Sequence, residues 1–268
     1  MSVFEWWQFD FMKNAFWALM IISPLFAIVG SLVVNAKMSF FSDAIGHSAL
    51  TGVAIGVLLG MSQPTLMIIV YSLLLSFIVT LLKHKVPQKT DTFIALIMSF
   101  SVALGLVLLT RGGQFSKFSN MLIGDLLSIT PTDLIKLGAL LVGSLIFLYF
   151  FLNKIILVSL NASLARSRGI NVFLIEFLFA AFVSVVVSLS IPWVGLLVIN
   201  SLLVLPAATS NNLARGMKSY LNLAIVFSVI SSIAGLAIAY ELSSATGATI
   251  VLVLMAFFIL SLVFRRKS

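Results

Sequence analysis

The sequence contains no cysteine, only 8 acidic residues and 2 histidines in 268 positions, and 6 prolines. Lacking cysteine, it has no disulfide and no thiolate metal site, and its redox compartment stays open. Charged residues make up 9% of the chain against 61% hydrophobic residues, with mean hydropathy +1.21. So little charge excludes an ordinary water-soluble globule; the solvent of this chain is lipid. The net charge of +8 implies no nucleic-acid partner, because Lys and Arg gather between apolar segments, where they set membrane orientation. The sequence holds no Gly-x-x-x-x-Gly-Lys-Ser/Thr phosphate loop and no His-Glu-x-x-His signature. ATP hydrolysis and zinc-protease chemistry therefore find no motif here, and the chain reads as a non-enzyme. Residues 1–12 carry Glu5 and Asp10 with neither a basic region nor a small-residue cleavage site, which argues against a cleaved signal peptide. Trp6 and Trp7 make this stretch an interfacial N-terminal segment lying flat on the outer face.

What the chain has in abundance is apolar runs of spanning length. A membrane helix needs about 20 such residues, and nine stretches qualify: 14–34, 38–60, 64–82, 92–110, 134–152, 172–191, 194–212, 220–240 and 248–264. The expected fold is all-α, a polytopic transmembrane helical bundle of 8–9 spans. The seventh stretch carries the uncertainty in that count, because Pro206 removes a backbone hydrogen bond and kinks or stops a helix.

Nine spans put the termini on opposite sides of the membrane. Lys83, Lys85, Lys89, Lys154, Arg166, Arg168, Arg215, Lys218, Arg265, Arg266 and Lys267 then share one side, the cytoplasm by the positive-inside rule. The other side receives the N-terminus, short turns at Ser62-Gln63-Pro64 and Ile191-Pro192-Trp193, Glu241, and a longer loop from Arg111 to Asp133. This places the chain as a multi-pass protein of the cell (inner) membrane, N-terminus outside and C-terminus cytoplasmic.

Within the second span lie Asp43 and His47, an i,i+4 pair on one helical face. Ionisable groups inside a bilayer cost several kcal/mol unless they meet a partner or a polar path, so the pair marks a transport site. Ala44, Gly46, Ser48, Ala49, Gly52, Ala54 and Gly56 thin this helix and admit close neighbours. Carboxylate oxygen and imidazole nitrogen suit divalent transition metals. Two donors hold such an ion weakly, whereas a two-fold dimer would bring four.

Three stretches resemble the permease subunits of bacterial ABC importers for zinc, manganese and iron: Met38-Ser-Phe-Phe-Ser-Asp43-Ala-Ile-Gly-His47-Ser-Ala-Leu-Thr-Gly-Val-Ala; Leu122-Ile-Gly124-Asp125 through Thr-Pro131-Thr-Asp133-Leu; and Val194-Gly-Leu-Leu through Leu-Pro206-Ala-Ala-Thr, followed by Asn-Asn-Leu-Ala-Arg215. The resemblance implies a type II importer permease of the cobalamin-importer fold, one transmembrane domain over residues 1–268. It also implies a homodimer working with two ATP-binding subunits and an extracytoplasmic metal-binding protein. On this resemblance Asp43 and His47 hold the transported divalent metal, and no cofactor is permanently bound.

The stretch 153–171 is similar to the cytoplasmic coupling segment of that family, whose Ala-x-x-x-Gly pattern docks on the ATPase. Here the pattern runs from Ala165 to Gly169, with Arg166 and Arg168 as interface charges, and Asn161 stands where many relatives carry an acid. Asn200 and Ser201 are candidates for the ion path, and Asp125 for a gate. Thr130 and Asp133 suit a helix start, Asp91 a helix cap and Glu176 the first turn of the sixth span. His84, between Lys83 and Lys85, reads as a surface residue. The alternative function is a proton-coupled secondary divalent-metal transporter. Such carriers spread ionisable residues over several helices, whereas this chain shows one clear pair.

Overall fold

The computed structural model describes residues 5–61, 63–86, 90–111 and 124–264. After a 3-10 turn at Glu5–Gln8 come α1 (Asp10–Asn35), α2 (Ser39–Leu58), α3 (Thr65–Lys85) and α4 (Thr90–Arg111). A second 3-10 turn, Leu126–Ser128, precedes α5 (Pro131–Leu160), the short α6 (Ala162–Ser167), α7 (Val172–Val194), α8 (Leu196–Leu213), α9 (Met217–Glu241) and α10 (Thr246–Val263). Among the described residues there is no strand, and 9 helices are long and apolar enough to cross a membrane. The chain is an all-helical, multi-pass membrane protein.

Several boundaries differ from those expected. The seventh span is one continuous helix through Pro206, and α1 and α7 likewise run through Pro24 and Pro192. In a membrane bundle, neighbouring helices and hydroxyl side chains make up for the bond a proline removes. The expected turn at Ile191-Pro192-Trp193 is therefore helical. The chain breaks instead at Gly195, whose φ of 80° lies in the left-handed region that glycine adopts at low cost. At the N-terminus α1 already starts at Asp10, so residues 10–12 belong to the first spanning helix rather than to a flat segment. Residues 153–160, assigned to the coupling segment, complete α5. Lys89, Lys117, Arg265, Arg266 and Lys267, with residues 112–123 of the outer loop, lie outside the described residues.

The chain divides into two compact units, Met1–Val34 with Asp125–Leu145 and Trp193–Ser268, and Asn35–Gly124 with Ile146–Pro192. In the first unit α8 packs against α9 and α10, and α1 joins them through close approaches of small residues. A Cβ on Gly30 of α1 would fall 1.9 Å from the Leu203 carbonyl oxygen of α8, so these two backbones touch directly. Ser23 donates to Ser232 Oγ at 2.7 Å, and Ser228 donates to the Ser23 carbonyl at 2.9 Å, tying α1 to α9. Burial of apolar groups hardly drives helix association in lipid, so close packing and such hydrogen bonds, about 0.6 kcal/mol each, carry it.

In the second unit α2 lies against both α3 and α4. A Cβ on Gly52 would sit 2.6 Å from Ile68 Cα, and one on Gly105 of α4 would sit 2.8 Å from the Thr51 amide nitrogen. Thr51 Oγ1 donates to the Ser101 carbonyl, and the Tyr71 and Ser101 hydroxyls bond at 2.9 Å. Two serine pairs join α3 to α7: Ser76 with Ser184 at 2.6 Å, and Ser188 donating to Ser72 at 3.0 Å. By contrast α5 leaves Ile135, Val142, Tyr149 and Phe150 exposed, an apolar face suited to lipid.

Candidate metal site on the second helix

Glycine contacts on two sides decide which way α2 faces. With Gly52 and Gly56 against α3 and Thr51 against Gly105 of α4, the helix has little freedom to turn about its axis. Most of it is buried, yet Phe40, Asp43 and His47, at i, i+3 and i+7, form an open stripe along its first half. The Asp43 and His47 side chains are 37% and 44% exposed, while Ser42, Ala44, Ser48 and Ala49 beside them are buried. His47 lies near the middle of the 20-residue helix, about 12 Å along its axis from Ser39.

His47 Nε2 stands 3.5 Å from Asp43 Oδ1. Two ligands each about 2.1 Å from a tetrahedral ion are themselves about 3.4 Å apart. The spacing therefore lets one ion sit between both donors with little side-chain movement. Among the described residues no group of three or more His, Cys, Asp and Glu forms. One chain thus offers such an ion two protein donors and leaves its remaining positions open.

The other predicted residues lie elsewhere. Asp125 accepts a hydrogen bond from the Leu127 amide at 3.0 Å and so caps the 3-10 turn before α5. Thr130 and Asp133 cap α5 reciprocally, the Thr130 N–H donating to Asp133 Oδ2 at 3.3 Å and the Asp133 N–H to Thr130 Oγ1 at 3.4 Å, with Lys136 holding Asp133 Oδ1 at 2.9 Å. Asn200 and Ser201 lie side by side in α8, a helix of the first unit, and Ser201 donates back to the Leu197 carbonyl at 2.8 Å. Asp91 lies inside the first turn of α4, which starts at Thr90, rather than capping it.

The segment 161–171, the candidate coupling segment, is built by local sequence. Asn161 caps α6 by accepting from the Leu164 amide at 2.9 Å, and Asn171 caps α7 by accepting from the Leu174 amide at 3.1 Å. Between them, Gly169 N–H bonds to the Arg166 carbonyl at 2.9 Å and Ile170 N–H to the Ala165 carbonyl at 3.0 Å, the paired closure of a Schellman stop. That closure needs the left-handed φ of 74° at Gly169. Arg166, Arg168 and Gly169 are exposed, as an interface would require. Ala165 is not: it is fully buried, and its part in the Ala-x-x-x-Gly pattern is to seat α6 on its own subunit. The outward apolar position belongs to Leu164, 42% exposed.

One constellation escaped the sequence reading. Glu176, in the second turn of α7 rather than its first, accepts from Lys83 Nζ at 3.0 Å and bonds His84 Nε2 at 2.7 Å, both at the end of α3. The His84 ring also meets Phe173 edge-on at 5.2 Å. His84 is therefore an exposed residue, as expected, that also makes an interhelical contact. The one signal in the sequence was an acid set in an otherwise apolar helix start.

The chain is similar to known proteins in sequence and in fold. The chain is 33% identical to the high-affinity zinc uptake system membrane protein ZnuB of Haemophilus influenzae over 262 residues, 97% of this chain and 99% of that protein. It is 30% identical to the manganese import system permease protein ScaB of Streptococcus parasanguinis over 254 residues, 95% of this chain and 90% of that protein. Its structure is similar to that of PsaBC from Streptococcus pneumoniae in complex with Fab, with TM-score 0.81 and 29% identity over 94% of this chain and 91% of that one. Since the sequence model of the ABC 3 transport family matches residues 8–265, this chain belongs to that family.

Proposed function

We propose that this chain is the membrane permease subunit of an ABC importer for divalent transition metals, zinc first and manganese next, with ferrous iron suited to the same donors. The observation that carries this reading is the Asp43–His47 pair, held open on a helix whose other faces are gripped by α3 and α4. The names of relatives that import zinc and manganese support the cargo. Membership of an ABC transport family favours ATP-driven import over a proton-coupled secondary carrier.

In this reading the chain sits in the cytoplasmic membrane with its N-terminus outside, as the side shared by Lys83, Arg166, Arg168 and Arg215 suggests. Two copies pair so that each contributes one Asp43 and one His47, completing four donors around the ion. An extracytoplasmic binding protein delivers the metal to this outward-open site. The site holds it only briefly, because a transport site that binds too tightly does not release. Two separate ATP-binding subunits supply the energy, consistent with the missing phosphate loop. They engage the segment 161–171 through Leu164, Arg166, Arg168 and Gly169 and rearrange the helices for release inward.

The test is uptake of zinc and manganese by the reconstituted complex, with and without an inactivated ATPase subunit. Metal entry that stops when the ATPase is inactive supports the reading. Entry driven by a proton gradient in its place rejects it.

A further inference from the structure

Three links join the coupling segment to the candidate metal helix, all within the second compact unit. The first is covalent: Gly169 ends α6, Asn171 caps α7, and Glu176 follows one turn later. The second joins α7 to α3. Besides the serine pairs, Phe77 of α3 meets Phe177 edge-on at 5.7 Å, and Glu176 holds Lys83 and His84. The third is the direct backbone approach of α3 to α2, where Gly52 lies against Ile68 and Gly56 against Pro64.

These links differ in kind. The hydroxyl pairs and ring contacts of α3 and α7 are neutral. The Glu176 contact is charge-assisted and forked, with one carboxylate oxygen on Lys83 and the other on His84, so it fixes the register of the two helices. Its side chains are mostly shielded, with Glu176 17%, Lys83 23% and His84 27% exposed. Glu176 and Lys83 also line a cavity of about 380 Å³, together with Asn35, Lys37 and Asp91.

We propose that Glu176 is the positioning residue that passes movement of the coupling segment to the metal helix: its carboxylate locks α7 to the end of α3, and α3 carries α2 with Asp43 and His47. This rests on the importer reading above. Without the lock, α6 and α7 still respond to the ATPase, but α3 and α2 no longer follow in step.

The experiment uses the whole complex in liposomes, with permease, ATPase and binding protein, and measures zinc imported per ATP hydrolysed. For Glu176→Gln, ATP hydrolysis continues while zinc per ATP falls roughly fivefold or more, and the zinc concentration for half-maximal uptake stays put. A charge-swapped double variant, Lys83→Glu with Glu176→Lys, recovers most of the loss shown by either single change. Wild-type stoichiometry in Glu176→Gln overturns the proposal. So does a double variant as poor as the single ones, which marks the contact as merely structural. Should Glu176→Gln fail to assemble, Glu176→Asp keeps the charge and shortens its reach, and normal coupling there overturns the proposal too. If the wild-type complex imports no zinc in response to ATP, the importer reading itself fails, and this inference with it.

Discussion

His47 and Asp43 face each other one helical turn apart, with 3.5 Å between imidazole nitrogen and carboxylate oxygen, near the middle of a helix whose remaining surface is largely buried. Neither side chain is needed to fill a core. Replacing them with Gln and Asn should shift stability by no more than about 0.5 kcal/mol, the range for partly exposed positions. Transport should suffer far more. Each single change is expected to lower zinc uptake roughly tenfold or more, a loss at least as large as that from weakening a ligand's supporting shell. Initial uptake rates beside thermal melting of the same purified variants check this, and a variant that melts normally yet transports normally refutes the assignment.

Acid should inhibit. A proton and a metal ion compete for the same imidazole nitrogen, so lowering the pH removes a donor and weakens metal binding. Uptake with intact partners should fall as the pH is lowered from about 7.5 to about 5.5. A His47→Gln variant should lose most of that dependence along with most of its activity. A wild-type rate that is flat across the range would count against His47 as a ligand.

Close backbone contact makes some glycines irreplaceable and leaves others free. Gly30→Ala forces a methyl group to 1.9 Å from the Leu203 carbonyl, and Gly105→Ala forces one to 2.8 Å from the Thr51 amide. Both should destabilise by about 1–3 kcal/mol, as overpacking does. Gly138→Ala in α5 meets nothing within 4 Å and should be neutral or slightly stabilising, since alanine is the better helix former. Melting temperatures in detergent compare the three. Equal losses at Gly30 and Gly138 would contradict the packing described.

The proposed coupling segment depends on its caps. Asn161→Ala removes the side-chain acceptor at the start of α6 and should weaken that short helix by about 1 kcal/mol. Gly169→Val puts a β-branched residue at a φ of 74°, strained even though nothing crowds the site. Both variants should bind the ATPase less well and import less metal per ATP while the permease alone keeps its melting temperature. Arg166→Glu should weaken the same association through charge and leave α6 intact. Pull-down of the ATPase subunit, with circular dichroism of the permease, separates these cases.

Much of this molecule was legible before any coordinates. The nine apolar runs correspond to nine helices, among the described residues, that are long and apolar enough to cross a membrane, because span length follows from membrane thickness, a constraint each segment meets alone. The helix start at Thr130 and Asp133 was readable for the same reason, since a helix end is decided by residues three or four positions apart. Pro206 misled for a local reason as well. Its effect on an isolated helix is disruptive, and only its burial among neighbouring helices removes that effect.

The sequence alone therefore determined the class of protein, the order of its apolar helices, and the presence of Asp43 and His47 on one helical face. Tertiary structure decided which faces meet: that glycine contacts hold the pair's stripe open, that Ala165 turns inward, and that Glu176 reaches Lys83 across 93 positions of chain. The physical reason is the solvent. In water, polarity along a helix reports which side is inside, but in lipid the buried and exposed sides are equally apolar, and only the close approach of small residues between helices selects one.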